Sequence, residues 1–198
     1  MKKGLLIGLG IVVLLGVLFF SIFGGTYNKL VVSEENVKKA WSQVENVYQR
    51  RLDLIPNLVE TVKGYASHEK ETLEGITKAR ASVGQMNVTS DVVNNPEAFQ
   101  KFQESQGQLT SFLSRLLMVS ERYPDLKANQ NFLDLQAQLE GTENRISVER
   151  GRYNEAAQSF NTLRRTFPTV ILAGWMGFKE KTYFEADKGA EKAPQVQF

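Results

Sequence analysis

Between Val37 and Val83 apolar side chains recur every three or four residues, and that rhythm constrains the fold more than any other feature of the chain. Of the fourteen positions on the seam (Val37, Trp41, Val44, Tyr48, Arg51, Ile55, Leu58, Val62, Tyr65, Glu69, Thr72, Ile76, Ala79, Val83), eleven are apolar, the pattern of an amphipathic helix whose face must be covered. A second apolar set (Ala40, Val47, Leu54, with Leu52, Val59, Ala66 and Leu73) runs beside it, so the helix meets more than one partner. The seam predicts a helical bundle. It does not predict a chemistry.

The same three–four rhythm returns twice. Asn95-Pro96-Glu97 has the signature of a helix start, with Asn as N-cap and Pro at the first helical position, and Phe99, Phe102, Gln106, Leu109, Leu113 and Leu116 follow. Pro124 sets the limit of this second helix. The third carries Phe132, Leu135, Leu139, Thr142, Ile146, Glu149, Tyr153, Ala156, Phe160 and Leu163 and stops before Pro168. Residues 84–95 and 124–131 read as loop and turn. The expected fold is all-α: an N-terminal transmembrane helix followed by an antiparallel bundle of three to four long helices. The expected domains are an anchor (1–25), the bundle (26–167), and an apolar C-terminal segment with a polar tail (168–198).

The anchor is read from the run Gly4 to Phe23, which holds no charged residue and follows Lys2-Lys3. Twenty residues of helix span ~30 Å, the thickness of a bilayer's hydrocarbon core. Ile22-Phe23 before Gly24-Gly25 lacks the small-residue pattern of a cleavage site, so the run reads as an uncleaved anchor in the lipid bilayer. Gly24-Gly25 should break it at the interface, with Ser33 capping the next helix. Lys2 and Lys3 favour a cytoplasmic N-terminus, hence a single-pass protein of the bacterial inner membrane with its bulk outside the cytoplasm.

Setting those two lysines aside leaves 24 − 2 = 22 basic against 22 acidic side chains, a neutral domain with no electrostatic footprint for nucleic acid. With no cysteine, disulfides, zinc ribbons and thiol catalysis are excluded. The one histidine, His68, begins HEKET, which lacks the second histidine of H-E-x-x-H. Glu60, Glu69, Asp134 and Glu140 read as solvated carboxylates on helix surfaces. No catalytic, cofactor or metal site is expected.

Two sites for contact are expected instead. The first helix is longer than the other two, and in an up-down-up order its membrane-proximal end is left uncovered. Val37, Trp41, Val44, Tyr48 and Arg51 are therefore the candidate interface of a homo-oligomer. Arg51 and Glu69 interrupt the seam and need partners, Glu149 being one candidate for Arg51. Pro56 should kink the helix. The segment VILAGWMGF, too short to span a bilayer, should lie at the distal end, where Ile171, Leu172, Trp175, Met176 and Phe178 either plug the core or contact a partner or membrane.

Long collinear blocks carry a resemblance. AWSQVENVYQRRLDLIPNLVETVKGYASHE from Ala40, RYPDLKANQNFLDLQAQLEGTENRISVER from Arg122, RYNEAAQSFN from Arg152, Phe167-Pro168 and a GF…YFEA ending resemble the LemA family of bacterial membrane proteins. The resemblance implies a single-pass membrane protein with a long helical bundle and an envelope role, and supplies no catalytic residue. The expected function is a membrane-anchored structural or scaffolding protein that self-associates. The alternative is an adaptor or binding module for an envelope partner such as a membrane protease.

Overall fold

The computed structural model describes residues 2–86 and 92–185, and the side chains of all of these except 2–6, 18, 19 and 22. Its first element, α1 (Lys2–Tyr65), is a single helix of 64 residues. It runs through Gly24-Gly25 and Ser33 without interruption, which corrects the expected break and cap there. Two glycines weaken a helix by about 2 kcal/mol together. Packing offsets this, since Leu30 and Val37 just beyond them are 0 % exposed. Among the described residues no helix is long and apolar enough to cross a membrane. The longest run of described side chains in the apolar stretch is 7–17.

α1 also runs through Pro56. Proline has no N–H, so the carbonyl four residues back, that of Leu52, loses its helical donor. Arg80 replaces it: its Nε donates to the Leu52 carbonyl at 3.0 Å from a neighbouring helix.

That neighbour is α2 (Lys70–Gly84), and it is not a continuation of α1. The chain reverses at 66–69, so the expected single helix as far as Val83 is two helices. The rhythm hides the reversal because the turn keeps phase. Ala66 before it and Leu73 and Ile76 after it are all buried, as they would be on one uninterrupted seam. Tyr65 and Glu69, counted on that seam, leave it: Tyr65 is 44 % exposed, and Glu69 pairs with Arg122 at 3.1 Å.

A single 3-10 turn (Val92–Asn94) precedes α3 (Pro96–Ser120), whose N-cap is the expected one: Asn95 Oδ1 accepts from the backbone N–H of Glu97 and Ala98. One helical turn, α4 (Pro124–Lys127), links it to α5 (Gln130–Arg165), capped by Asn129 on the Phe132 N–H. α6 (Thr169–Trp175) is short, and an extended strap follows to residue 185. The polar end, 186–198, and loop residues 87–91 lie outside the described residues.

The extra reversal gives an up-down-up-down bundle, so α5 descends towards the base of α1 and brings the chain's last segments there. The α1–α5 register is regular. Trp41 packs on Tyr153 (5.4 Å between rings), Arg51 bonds Glu143, and Tyr65 accepts a hydrogen bond from Asn129. Each step up α1 equals the step back along α5. The core has two parts. The distal part, from Leu52 to Val83 with Leu109–Val119, Leu126 and Phe132–Leu139, is built by α1, α2, α3, α4 and α5. The proximal part, from Leu30 to Tyr48 with Phe99, Phe102, Tyr153, Phe160, Ala173 and Phe184, is built by α1, α3, α5, α6 and the strap, with Val93 of the 3-10 turn. Gly75 lets α2 and α3 approach, since a Cβ there would lie 2.4 Å from the Phe112 ring.

Arg80→Leu should cost about 1–2 kcal/mol in urea unfolding of the detergent-solubilised protein, because it strips the Leu52 carbonyl of its donor. In the Pro56→Ala background, where the helical N–H returns, the same change should cost less than half as much. Equal costs in the two backgrounds would contradict the pairing.

Candidate functional site

Arg51 stands between the two core parts and is 1 % exposed. Its Nη1 donates to Thr110 Oγ1 at 3.0 Å and to Glu143 Oε1 at 2.7 Å, and its Nη2 donates to Gln106 Oε1. The guanidinium also lies 5.1 Å from the Tyr48 ring centre. One side chain of α1 is thus tied to two residues of α3 and one of α5. Nε is buried and has no hydrogen-bond partner among the described residues. The ion partner is Glu143, not Glu149, which pairs with Arg152 at 2.7 Å. Glu149 lies six residues further along α5, about 9 Å towards the base and away from the level of Arg51.

A cavity of ≈ 320 Å³ opens beside this layer, lined by Gln103, Gln106, Thr110, Ser111, Glu143 and Arg150 together with Arg51. Two of its hydroxyls are turned to their own helix, Thr110 donating to the Gln106 carbonyl and Ser111 to that of Gly107. Glu143 is engaged by Arg51. Among the described residues no group of histidine or acidic side chains could hold a metal ion. His68 is exposed in the turn 66–69. Glu60 bonds Lys63, Asp134 accepts from Gln130, and Glu140 accepts from Gln136.

The seam residues expected to form an oligomer interface are interior. Val37, Trp41 and Val44 are 0 % exposed, and Tyr48 is 6 % exposed. Trp41 is ringed by Phe99, Phe102, Tyr153 and Phe184 at 5.4–6.0 Å, and its Nε1 donates to Glu45 Oε1 at 2.9 Å. Burial pushes the Glu45 carboxyl above its usual value, and the Trp41 hydrogen bond opposes this only in part. The seam is covered because α3 starts lower than a three-helix count allows, and because the strap folds over what remains.

The sequence reading missed that strap. Residues 181–185 run antiparallel to α5, held by two asparagines seven positions apart. Asn161 donates to the Lys181 carbonyl and accepts from the Lys181 N–H, both at 2.9 Å. Asn154 does the same with Phe184, at 3.0 and 2.9 Å. Seven helical residues advance ~10 Å and three extended residues cover the same distance, which is why this spacing fits. Tyr153 donates to the Thr182 carbonyl at 2.7 Å, and burial pushes its phenol well up, so the donor stays protonated. Lys181, 3 % exposed, donates to Glu34 Oε1 at 2.6 Å and Asn94 Oδ1 at 2.7 Å. The amide pair Asn154 and Asn161 on one helix face was the available signal, but nothing in the sequence says which segment they bind.

The apolar segment expected at the distal tip lies at the proximal end. Phe178 meets Tyr27 and Phe160, at 6.2 and 6.3 Å between rings, and Ala173 joins the core around Leu30. Leu172 is buried at 3 %, whereas Ile171, Trp175 and Met176 are exposed at 62, 80 and 46 %.

Arg51→Ala should destabilise the bundle by about 3 kcal/mol, through lost packing and three unpaired partners. Glu143→Gln should cost under about 1 kcal/mol, because that carboxylate is 40 % exposed and water can replace its partner. Denaturant midpoints check the order, and a larger loss at Glu143 would contradict it. Asn161→Ala should speed amide exchange at Lys181 and lower stability by about 2 kcal/mol, leaving exchange in 66–69 unchanged.

The LemA family pattern matches residues 40–198. Protein LemA of Metamycoplasma hominis is 27 % identical over 173 residues, covering 86 % of this chain and 74 % of that protein. Magnetosome protein MamQ of Magnetospirillum gryphiswaldense is 26 % identical over 204 residues, covering 95 % and 75 %. Magnetosome protein MamQ 2 of Paramagnetospirillum magneticum is 26 % identical over 186 residues, covering 86 % and 68 %. With its family pattern matched over most of its length, the chain belongs to the LemA family.

Proposed function

We propose that this protein is a membrane-anchored helical bundle with a structural, scaffolding role in the bacterial envelope, and that it is not an enzyme. The carrying observation is the continuity of α1: one helix holds the uncharged run from Gly4 to Phe23 and, further along, the spine of the bundle core. In that run Ile7, Leu9, Val12 and Leu14 are 61–66 % exposed. Twenty uncharged residues match the hydrocarbon thickness, so the run spans the inner membrane once. The lysines before it favour a bulk outside the cytoplasm. A helix that crosses the interface without a break transmits orientation, so the bundle stands as a post on the membrane.

Self-association belongs to the same proposal, on surfaces other than the buried seam. A shallow depression around Val32, 61 % exposed, and Leu163 is one apolar surface near the anchor. Tethering raises the effective concentration there.

Leu14→Lys combined with Val17→Lys should release the protein from membranes washed at alkaline pH, since each charge at the bilayer centre costs about 3 kcal/mol. The unaltered protein should stay. In mild detergent it should form a homomeric particle several times the 22.3 kDa chain. A monomer would contradict the scaffold, and a stoichiometric complex with another envelope protein would favour the adaptor alternative.

A further inference from the structure

The regular α1–α5 register fixes the height of α6 above the anchor. Trp41 is level with Tyr153 and Arg51 with Glu143, so the same register carried downward sets Phe167 level with Tyr27. The contacts near the base agree: Leu163 shares a depression with Asn28, Lys29 and Val32, and Phe178 meets Tyr27. Tyr27 is four residues beyond Phe23, ~6 Å along the helix axis. The headgroup region of one leaflet is about as thick.

At this height the chain exposes a group of large apolar side chains outside the anchor. Phe167 is 81 % exposed, Trp175 80 %, Ile171 62 % and Val170 45 %. They flank or belong to one short helix whose other face, Thr169, Leu172 and Ala173, is buried against the bundle. The surroundings are basic: Lys29, Arg165 and Lys179 are exposed, while the nearby acids Glu34 and Glu180 are taken by Lys181 and Arg164. An apolar face with an aromatic pair and a cationic rim, level with the headgroups, matches a bilayer interface.

We infer that α6 is a second membrane contact: Phe167, Ile171 and Trp175 enter the interfacial layer of the leaflet from which α1 emerges, and Lys29, Arg165 and Lys179 meet anionic headgroups. This rests on the anchor reading of Gly4 to Phe23, which fixes where the leaflet lies. Two points of attachment on one rigid body hold the bundle at a set angle to the membrane.

Because the sequence has no cysteine, single labelling sites can be introduced directly. Ile171→Cys and Trp175→Cys replace exposed side chains, Met118→Cys (62 % exposed) serves as a remote site on α3, and Leu14→Cys reports the anchor. Each full-length variant carries an environment-sensitive fluorophore in phosphatidylcholine–phosphatidylglycerol vesicles, with and without lipid brominated on its upper acyl chain. Thermal unfolding confirms that each is folded. Brominated lipid should lower emission about twofold at sites 14, 171 and 175 and leave site 118 unchanged. Quenching at 14 without quenching at 171 and 175 would overturn the α6 contact and keep the anchor. Quenching at 171 and 175 without 14 would keep the contact and overturn the anchor. Quenching at none of the three would overturn both. A blue-shifted label at 171 that lipid does not quench would mean that a second copy of the chain covers α6, which also overturns the lipid contact.

Discussion

The bundle depends on the way α1 presents one buried arginine to two other helices. Arg51 sits where the distal core gives way to the aromatic proximal core, and its guanidinium reaches Gln106, Thr110 and Glu143. Apolar packing alone would tolerate a slide of α5 along α1 by one turn, because a leucine or phenylalanine can exchange one hollow for the next. A buried guanidinium cannot slide without losing its partners, at a cost of several kcal/mol. The register set here carries Trp41 to Tyr153 and Tyr65 to Asn129, and so decides where the descending helix ends.

From that register the base of the molecule follows. α5 reaches the level of Leu30 and Tyr27, α6 packs beside them, and the strap returns along α5 to close the proximal core. Lys181 ties the strap to α1 and to the turn before α3 through Glu34 and Asn94. The part of α1 nearest the apolar run is thus braced by the strap as well as by α5.

The helical periods, the Asn95 cap and the stops near Pro124 and Pro168 were legible because they depend on local chemistry. The turn 66–69 was not. Its four residues preserve the phase of the apolar seam, so periodicity reads across it, and only Gly64 and Tyr65's exposure mark the departure. That one omission placed the apolar C-terminal segment at the wrong end and left Val37 to Tyr48 without cover. The strap was hidden for a different reason. Asn154 and Asn161 are ordinary surface residues until a partner backbone arrives, and pairing over 20 to 30 residues leaves no periodic trace. Arg51 was legible as a problem, a charge on an apolar seam, but its partner was set by register and not by composition.

The central claim is that one unbroken helix joins anchor and bundle, so that the bundle stands at a fixed height and angle on the bilayer. Imaging the full-length protein in lipid nanodiscs tests this most directly. A rigid α1 puts the turn 66–69 ~63 Å above the level of Phe23, in a single orientation relative to the disc, with the α6 end against its surface. A bundle that adopts many angles about Gly24-Gly25, or stands off from the disc by a visible gap, would contradict it.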